Sequence, residues 1–171
     1  LEGLNGNVAP ILPQTIGARP FDGLSQTAAD MRDVLKGSYL WNVDATRPLQ
    51  DPLSYRVTVY GLSEARRAVK DLNDQIAVQI NSTDDNPATI LNADEAYRSE
   101  STQVANYFVE GNGVKGAIIP SGNFNPLPVA LALQRTSIAM AHLSHYSVQR
   151  TVHLSYDQFT GLTRFLTDPS N

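Results

Sequence analysis

A mainly helical chain is what this sequence predicts, on three observations. Apolar residues recur at steps of three and four over two stretches, Leu62–Ile80 and Leu127–Leu154, that are far longer than a strand. Prolines and glycines gather between these stretches, with Pro128 alone inside the second, at its first turn. The runs that favour strands, YFV at 107–109 and AII at 117–119, are brief. At 171 residues the chain is long enough for one domain with its own core, so residues 1–171 are read as a single unit.

Taken in order, the segment up to Phe21 is rich in Gly, Pro and Asn and predicts irregular connection with at most a short helix. In LSQTAADMRDVLKG, Leu24, Ala28, Met31 and Leu35 mark one face of an amphipathic helix that Gly37 stops. SYLWNVDATRPLQDP has no sustained period and predicts a loop that delivers Gln50 and Asp51. The first long helix shows Leu62, Ala65, Val69, Leu72, Ile76 and Ile80 on one face and ends in NSTDDNP, whose side chains compete for backbone hydrogen bonds. Residues 92–120 mix Gly, Asn and charge around the two strand-like runs, which fits a hairpin or loop excursion. The second long helix is rich in Ala and Ser, and small residues let neighbouring helices approach closely. The two long helices are expected to pack antiparallel through Leu72, Ile76, Ile138 and Ala141, and the tail TGLTRFLTDPSN to break at Gly161.

Composition removes several function classes. A net charge of -4 with no block of like charge provides no basic field for nucleic acid or an anionic membrane. The absence of cysteine excludes disulfides, a thiolate nucleophile and cysteine metal sites, and makes the cytoplasm the default compartment. No apolar run approaches the roughly 18 residues of a membrane span. The start at Leu1 fits a processed chain or part of a longer one.

His142, His145 and His153 share roughly one face of the second long helix, but no His-Glu metal motif accompanies them, so they are read as surface or interhelical residues and no metal is expected. A Gly-x-Ser-x-Gly elbow, a phosphate-binding glycine loop and a dinucleotide fingerprint are all missing. Two strings remain. QDPLSYR, residues 50–56, places an amide, an acid and a guanidinium before the first long helix, and SGNFNPLPVALA, residues 121–132, opens the second. Each also fits a helix entry, with Asn123 or Asn125 capping.

Together with NSTDDNP, ARPFDG at 18–23 and TGLTRFL, these strings resemble, in order and spacing, the histidine and aromatic amino acid ammonia-lyases. That family opens a core helix with Gln-Asp-x-Tyr-Ser-x-Arg, closes it with an Asn-x-x-Thr-Asp-Asn-Pro turn and opens the next with Gly-Gly-Asn-Phe. The resemblance implies a long-helix bundle of the ammonia-lyase, fumarase/aspartase-like type. It implies a lyase or aminomutase that removes or moves the amino group of L-histidine or an aromatic L-amino acid. Arg56 would clamp the substrate carboxylate, Gln50 and Asn123 would be polar contacts, and Phe124 an aromatic wall.

Two departures and one gap accompany the resemblance: Leu53, an excursion between Leu91 and Ser121 longer than the compact connection the family implies, and the cofactor segment. Leu53 stands where the family has tyrosine, and Leu has no proton to exchange. Tyr55 does not inherit the place, because two residues along a helix rotate a side chain by about 200°. The catalytic residues are therefore left unassigned. The family's cofactor, methylidene-imidazolone, forms from an internal Ala-Ser-Gly, and no such tripeptide occurs here. The chain is accordingly expected to be a central-to-C-terminal piece, inactive alone, completed by a preceding N-terminal part and assembled as a homotetramer. The competing reading is a non-catalytic helical assembly protein that kept the scaffold after losing the tyrosine.

Overall fold

The computed structural model describes residues 1–163, and the end of the tail, with Arg164–Leu166, lies outside them. The elements run α1 (Pro13–Gly17), α2 (Leu24–Val34), α3 (Leu53–Arg56), α4 (Thr58–Ile80), β1 (Ala88–Leu91), α5 (Thr102–Ala105), β2 (Phe108–Gly111), β3 (Val114–Ile119), α6 (Leu127–Leu154) and α7 (Asp157–Thr160). Short 3-10 turns at Glu2–Leu4, Ala9–Ile11 and Tyr39–Trp41 punctuate the connections. The mainly helical class and both long helices are as the periodicity predicts, α6 with the same bounds. Contacts divide the chain into one unit of residues 1–70 and 135–171 and another of residues 71–134.

The first unit holds the main core. Ile11, Ile16, Leu24, Ala28, Leu35, Leu40 and Val59 are buried together, with Met31 and Tyr60 packed against them. Leu24, Ala28 and Leu35 are the face that helical spacing predicts for α2, and the helix is entered through Gly23 at φ +75°, where only glycine is unstrained. The loop after α2 is irregular because its polar groups bond to one another. Asp44 accepts from Thr46 N at 2.8 Å and from Thr46 Oγ1 at 2.7 Å. Arg47 Nη1 donates to the Leu40 carbonyl at 2.8 Å and Nη2 to Asn5 Oδ1 at 3.1 Å.

Within this unit the long helices run antiparallel. Thr58 meets Arg150, Nη1 to Oγ1 at 3.3 Å, and Thr136 Oγ1 donates to the Ala68 carbonyl at 3.1 Å. Of the residues expected at the seam, Leu72 and Ile76 belong to the second unit and Ile138 and Ala141 to the first, and the helix contacts within the first unit lie elsewhere. Small residues carry the contacts shown there: Gly61 lies against Tyr146 and Leu143 and the Ala68 carbonyl accepts from Thr136, while Val59 and Ser63 face the N-terminal segment, Val59 in the main core and Ser63 donating to the Asp22 carbonyl. Ile138 is 61% exposed and Ala141 is exposed, while Ile76 and Ile80 of the second unit are exposed as well. Close approach needs short side chains, so the apolar row of larger ones is left uncovered by the described residues.

The second unit contains an antiparallel sheet in the order β1-β3-β2. β2 and β3 form a hairpin, with Phe108 opposite Ala117 and Gly111 opposite Val114. Asn112 and Gly113 make its turn at φ +51° and +77°, the pair of left-handed residues that a tight two-residue hairpin requires. The apolar run Ala88–Leu91 adds to the other edge of β3, Ala88 opposite Ile119. α4 ends as its sequence suggests: Asn81 Nδ2 donates to the Ala77 carbonyl at 2.7 Å and Ser82 Oγ to the Val78 carbonyl at 2.6 Å. No described helix is long and apolar enough to cross a membrane.

Candidate functional site

The first unit brings two of the four sequence-predicted site residues into one cleft. Gln50 and Arg56 line a cavity of about 340 Å³ together with Asn7, Thr15, Leu49 and Tyr60. The loop is held there from below. Asn7 Nδ2 donates to the Leu49 carbonyl at 3.1 Å, and the Asn7 backbone N–H donates to Asp51 Oδ2 at 2.8 Å. Asp51 is buried, and desolvation pushes its carboxyl above the ordinary value, opposed by the Asn7 N–H and by the nearby positive charges, Arg47 and Arg56 among them. Asp51 thus anchors the turn, while Gln50 beside it is left exposed to the cleft.

Arg56 closes α3 and is half-buried. Its Nε is buried with no hydrogen-bond partner among the described residues. A guanidinium has five donors in a planar fork, and a buried donor left unpaired costs about 1–3 kcal/mol. An anion that supplied two acceptors would remove that cost, which is what a substrate carboxylate offers.

The other residues of QDPLSYR are sorted by the turn. Tyr55 is buried, its hydroxyl donates to the Arg150 carbonyl at 3.0 Å, and its ring meets His153 edge-on with centroids 6.5 Å apart. Leu53 is 63% exposed and lines a different cavity, about 410 Å³, with His145, Gln149 and His153. Ser54 borders the same cavity, and its buried Oγ has no partner among the described residues. His153 Nδ1 lies 2.6 Å from the Gln149 carbonyl, whereas His142 and His145 are exposed. Among the described residues no group of three or more His, Asp or Glu side chains is placed to hold a metal.

Asn123 and Phe124 belong to the second unit. Their loop is tied to the turn that ends α4. Ser121 N donates to Asn86 Oδ1 at 2.9 Å, Ser121 Oγ to the Asp85 carbonyl at 3.0 Å, and Asn123 Nδ2 to the Thr83 carbonyl at 3.2 Å. The Asn86–Pro87 peptide is cis. Phe124 is 62% exposed, and Asn125 rather than Asn123 caps α6, its Oδ1 accepting from Leu127 N at 3.0 Å.

Two features escaped the sequence reading. The NSTDDNP and SGNF strings are one hydrogen-bonded structure, which no spacing rule announces. Tyr60 lines the Arg56 cleft and also a second cavity with Arg19 and Phe21; it belongs to α4 whereas Arg56 closes α3, so a spacing of four residues across the break at Val57 did not announce it.

The first unit thus places a guanidinium whose buried Nε has no described partner and an exposed amide in one cleft of a mainly helical fold. Comparison with known proteins makes the class definite: residues 1–171 match the family described as aromatic amino acid lyase, and the chain belongs to that family. It is similar to the histidine ammonia-lyase of Sorangium cellulosum, 32% identical over 99% of this chain and 30% of the relative. A second relative is the histidine ammonia-lyase of Anaeromyxobacter dehalogenans, 31% identical over 97% of this chain and 29% of the relative. The ergothioneine-degrading ergothionase of Treponema denticola, solved with desmethyl-ergothioneine sulfonic acid, superimposes with a TM-score of 0.78 at 31% identity, covering 98% of this chain and 29% of that one. The tyrosine aminomutase of Streptomyces globisporus shares the fold, with a TM-score of 0.71 at 23% identity over 98% of this chain and 32% of that one. The chain therefore spans about 30% of the length of the curated relatives it matches.

Proposed function

We propose that this chain supplies the carboxylate clamp and an aromatic wall of a carbon–nitrogen lyase or aminomutase acting on L-histidine or a related aromatic L-amino acid. The observation that carries the reading is the Arg56 cleft, where a guanidinium with an unpaired buried Nε stands beside an exposed Gln50. Arg56 holds the carboxylate through paired hydrogen bonds and Gln50 orients it, so that the Cβ–H and Cα–N bonds present a fixed geometry. Phe124, exposed on its tied loop, offers a ring face to an aromatic or imidazole side chain, and Asn123 holds that loop.

None of the residues forms Ala-Ser-Gly, so this chain does not build methylidene-imidazolone itself. The Arg56 cleft fits a substrate carboxylate rather than that ring. When present in the whole protein, the ring supplies an electrophile that engages the substrate. Histidine ammonia-lyases are the relatives that support this reading, and the uncovered apolar side chains Leu131, Ile138 and Val148 of α6 support further chain or further copies around it; a homotetramer in the cytoplasm is part of the proposal and not of that support.

Leu53 favours a second reading, in which the scaffold persists as a non-catalytic assembly protein, because the position has lost its ionisable group. One experiment separates the two. The full-length protein is assayed for ammonia release and for β-amino product from histidine, phenylalanine and tyrosine. Turnover of any of them supports the enzyme; none, in a correctly assembled protein, supports the scaffold. Residues 1–171 alone should be inactive.

A further inference from the structure

We propose that the turn ARPFDG and the first turns of α4 form a second small-molecule site, built on Arg19, Phe21 and Tyr60, for an aromatic monocarboxylate. The site does not depend on the lyase reading. Arg19, Phe21 and Leu24 line a cavity of about 370 Å³ with Tyr60, Glu64 and Arg67, a volume within the range of pockets that take small ligands. All six belong to the first unit.

Two segments make the cavity. Tyr60, Ser63, Glu64 and Arg67 all lie inside α4 at helical spacings and so share one of its faces. Ser63 Oγ ties that face to the turn by donating to the Asp22 carbonyl at 3.4 Å. The turn itself is tight, with the Phe21 N–H donating to the Arg19 carbonyl at 2.9 Å and the Leu24 N–H to the Phe21 carbonyl at 3.1 Å. Leu24, 1% exposed, belongs to the main core and anchors the site there.

Charge decides what the cavity accepts. Glu64 is held by Arg67 at 2.7 Å and approached by Arg135 at 3.7 Å, so neither the acid nor Arg67 is left over. Arg19 differs. Its guanidinium carbon lies 4.8 Å from the Phe21 ring centroid and 5.9 Å from that of Tyr60, within cation–π range. Its guanidinium donates to no described residue. Ring contacts position a guanidinium without consuming its N–H donors, and those donors match a carboxylate in a planar, two-point pair. The cavity thus offers one uncompensated positive charge beside two aromatic rings. A dianion would need a second cation, and the nearest, Arg67, is already paired with Glu64. An aliphatic carboxylate would leave the exposed Phe21 ring without a partner. Arg56 and Gln50 do not border this cavity, whereas Tyr60 lines both, so Arg19 and Arg56 are the positions that tell the two sites apart.

The test is titration of the full-length protein with 4-fluorobenzoate, followed by fluorine NMR, in an Arg56→Ala background that silences the other carboxylate contact. Saturable binding should persist there. Adding Arg19→Gln, which removes the charge and the fork, should weaken it by about tenfold or more. Adding Phe21→Leu instead should weaken it by about threefold. Unchanged unfolding midpoints for both variants show that contacts and not the fold were lost. No binding in the Arg56→Ala protein, or an Arg19→Gln titration superimposable on that of its parent, overturns the inference. Either result leaves the lyase reading untouched, because turnover by the wild type decides that separately.

Discussion

The Tyr55 hydroxyl donates a 3.0 Å hydrogen bond to the Arg150 carbonyl, joining positions 95 residues apart. That bond fixes α3 against the C-terminal part of α6 and decides how QDPLSYR is presented. With Tyr55 turned inward, Leu53 is exposed and Arg56 faces the Gln50 cleft. Tyr55 is thus a structural residue, and burial raises its phenol above the ordinary value of 10.0.

Tyr55→Phe should accordingly lower stability by about 1 kcal/mol, the usual net value of such a bond, without emptying the core. Thermal unfolding of the full-length protein measures it. An unchanged midpoint would show that the α3–α6 tie carries no energy.

Gly61→Ala should destabilise although alanine is the better helix former by about 1 kcal/mol. A Cβ at Gly61 would stand 2.6 Å from Tyr146 Cε2 and 2.9 Å from Cδ2, so the ring or the helix must move. Overpacking of this kind costs about 1–3 kcal/mol. The double variant with Tyr146→Leu separates the causes: there Gly61→Ala should turn neutral or stabilising, and chemical denaturation of the four proteins reads the coupling.

How much of this was legible in the sequence varies with the kind of signal. Helix bounds were, because Leu127–Leu154 is a period sustained over many turns. The buried face was harder. Leu62, Ala65, Val69, Leu72, Ile76 and Ile80 mark one face by hydrophobicity, yet the contacts shown to α6 form at Gly61 and Ala68, which lie off the larger side chains and permit close approach, a property of volume and not of polarity. The hairpin was visible as two strand-like runs, and Asn112-Gly113 was the overlooked mark of its turn. In the candidate site, Gln50 and Arg56 were found as a string, while Tyr60 was not, because nothing in a tyrosine inside a long helix distinguishes core from cleft. The ties from Ser121 to Asn86 and Asp85 depend on folding and have no local signature.

Two carboxylates of one loop should respond to acid in opposite directions. Thr46 Oγ1, Asn5 Nδ2 and the Thr46 N–H hold the Asp44 carboxyl down at about 2. A depressed value contributes stability present above the unfolded value near 3.8 and lost as pH falls through about 2. Burial raises Asp51, so its ionised form is penalised at neutral pH and the penalty is relieved as pH falls through its raised value. Relative to Asp51→Asn, the wild type should gain stability on acidification from pH 7; relative to Asp44→Asn, it should lose its advantage in strong acid. Urea unfolding across pH, with Asp44 followed by NMR titration, checks both signs.

Arg56 decides whether the cleft is a carboxylate site. Arg56→Ala removes a charged, two-point contact and should reduce kcat/KM by about 2–4 kcal/mol in transition-state binding. Stability need not follow, since the Nε of Arg56 has no partner to lose among the described residues, and relief of that unpaired donor opposes the loss of packing by its stem. Arg56→Lys is the sharper variant. It keeps the charge but not the planar fork, so a clamp that depends on two parallel hydrogen bonds should lose most of its activity, whereas a merely positive cleft should keep it. Full activity of Arg56→Lys together with unchanged binding of 3-phenylpropanoate would remove Arg56 from the role assigned to it and move the carboxylate site elsewhere in the assembled protein.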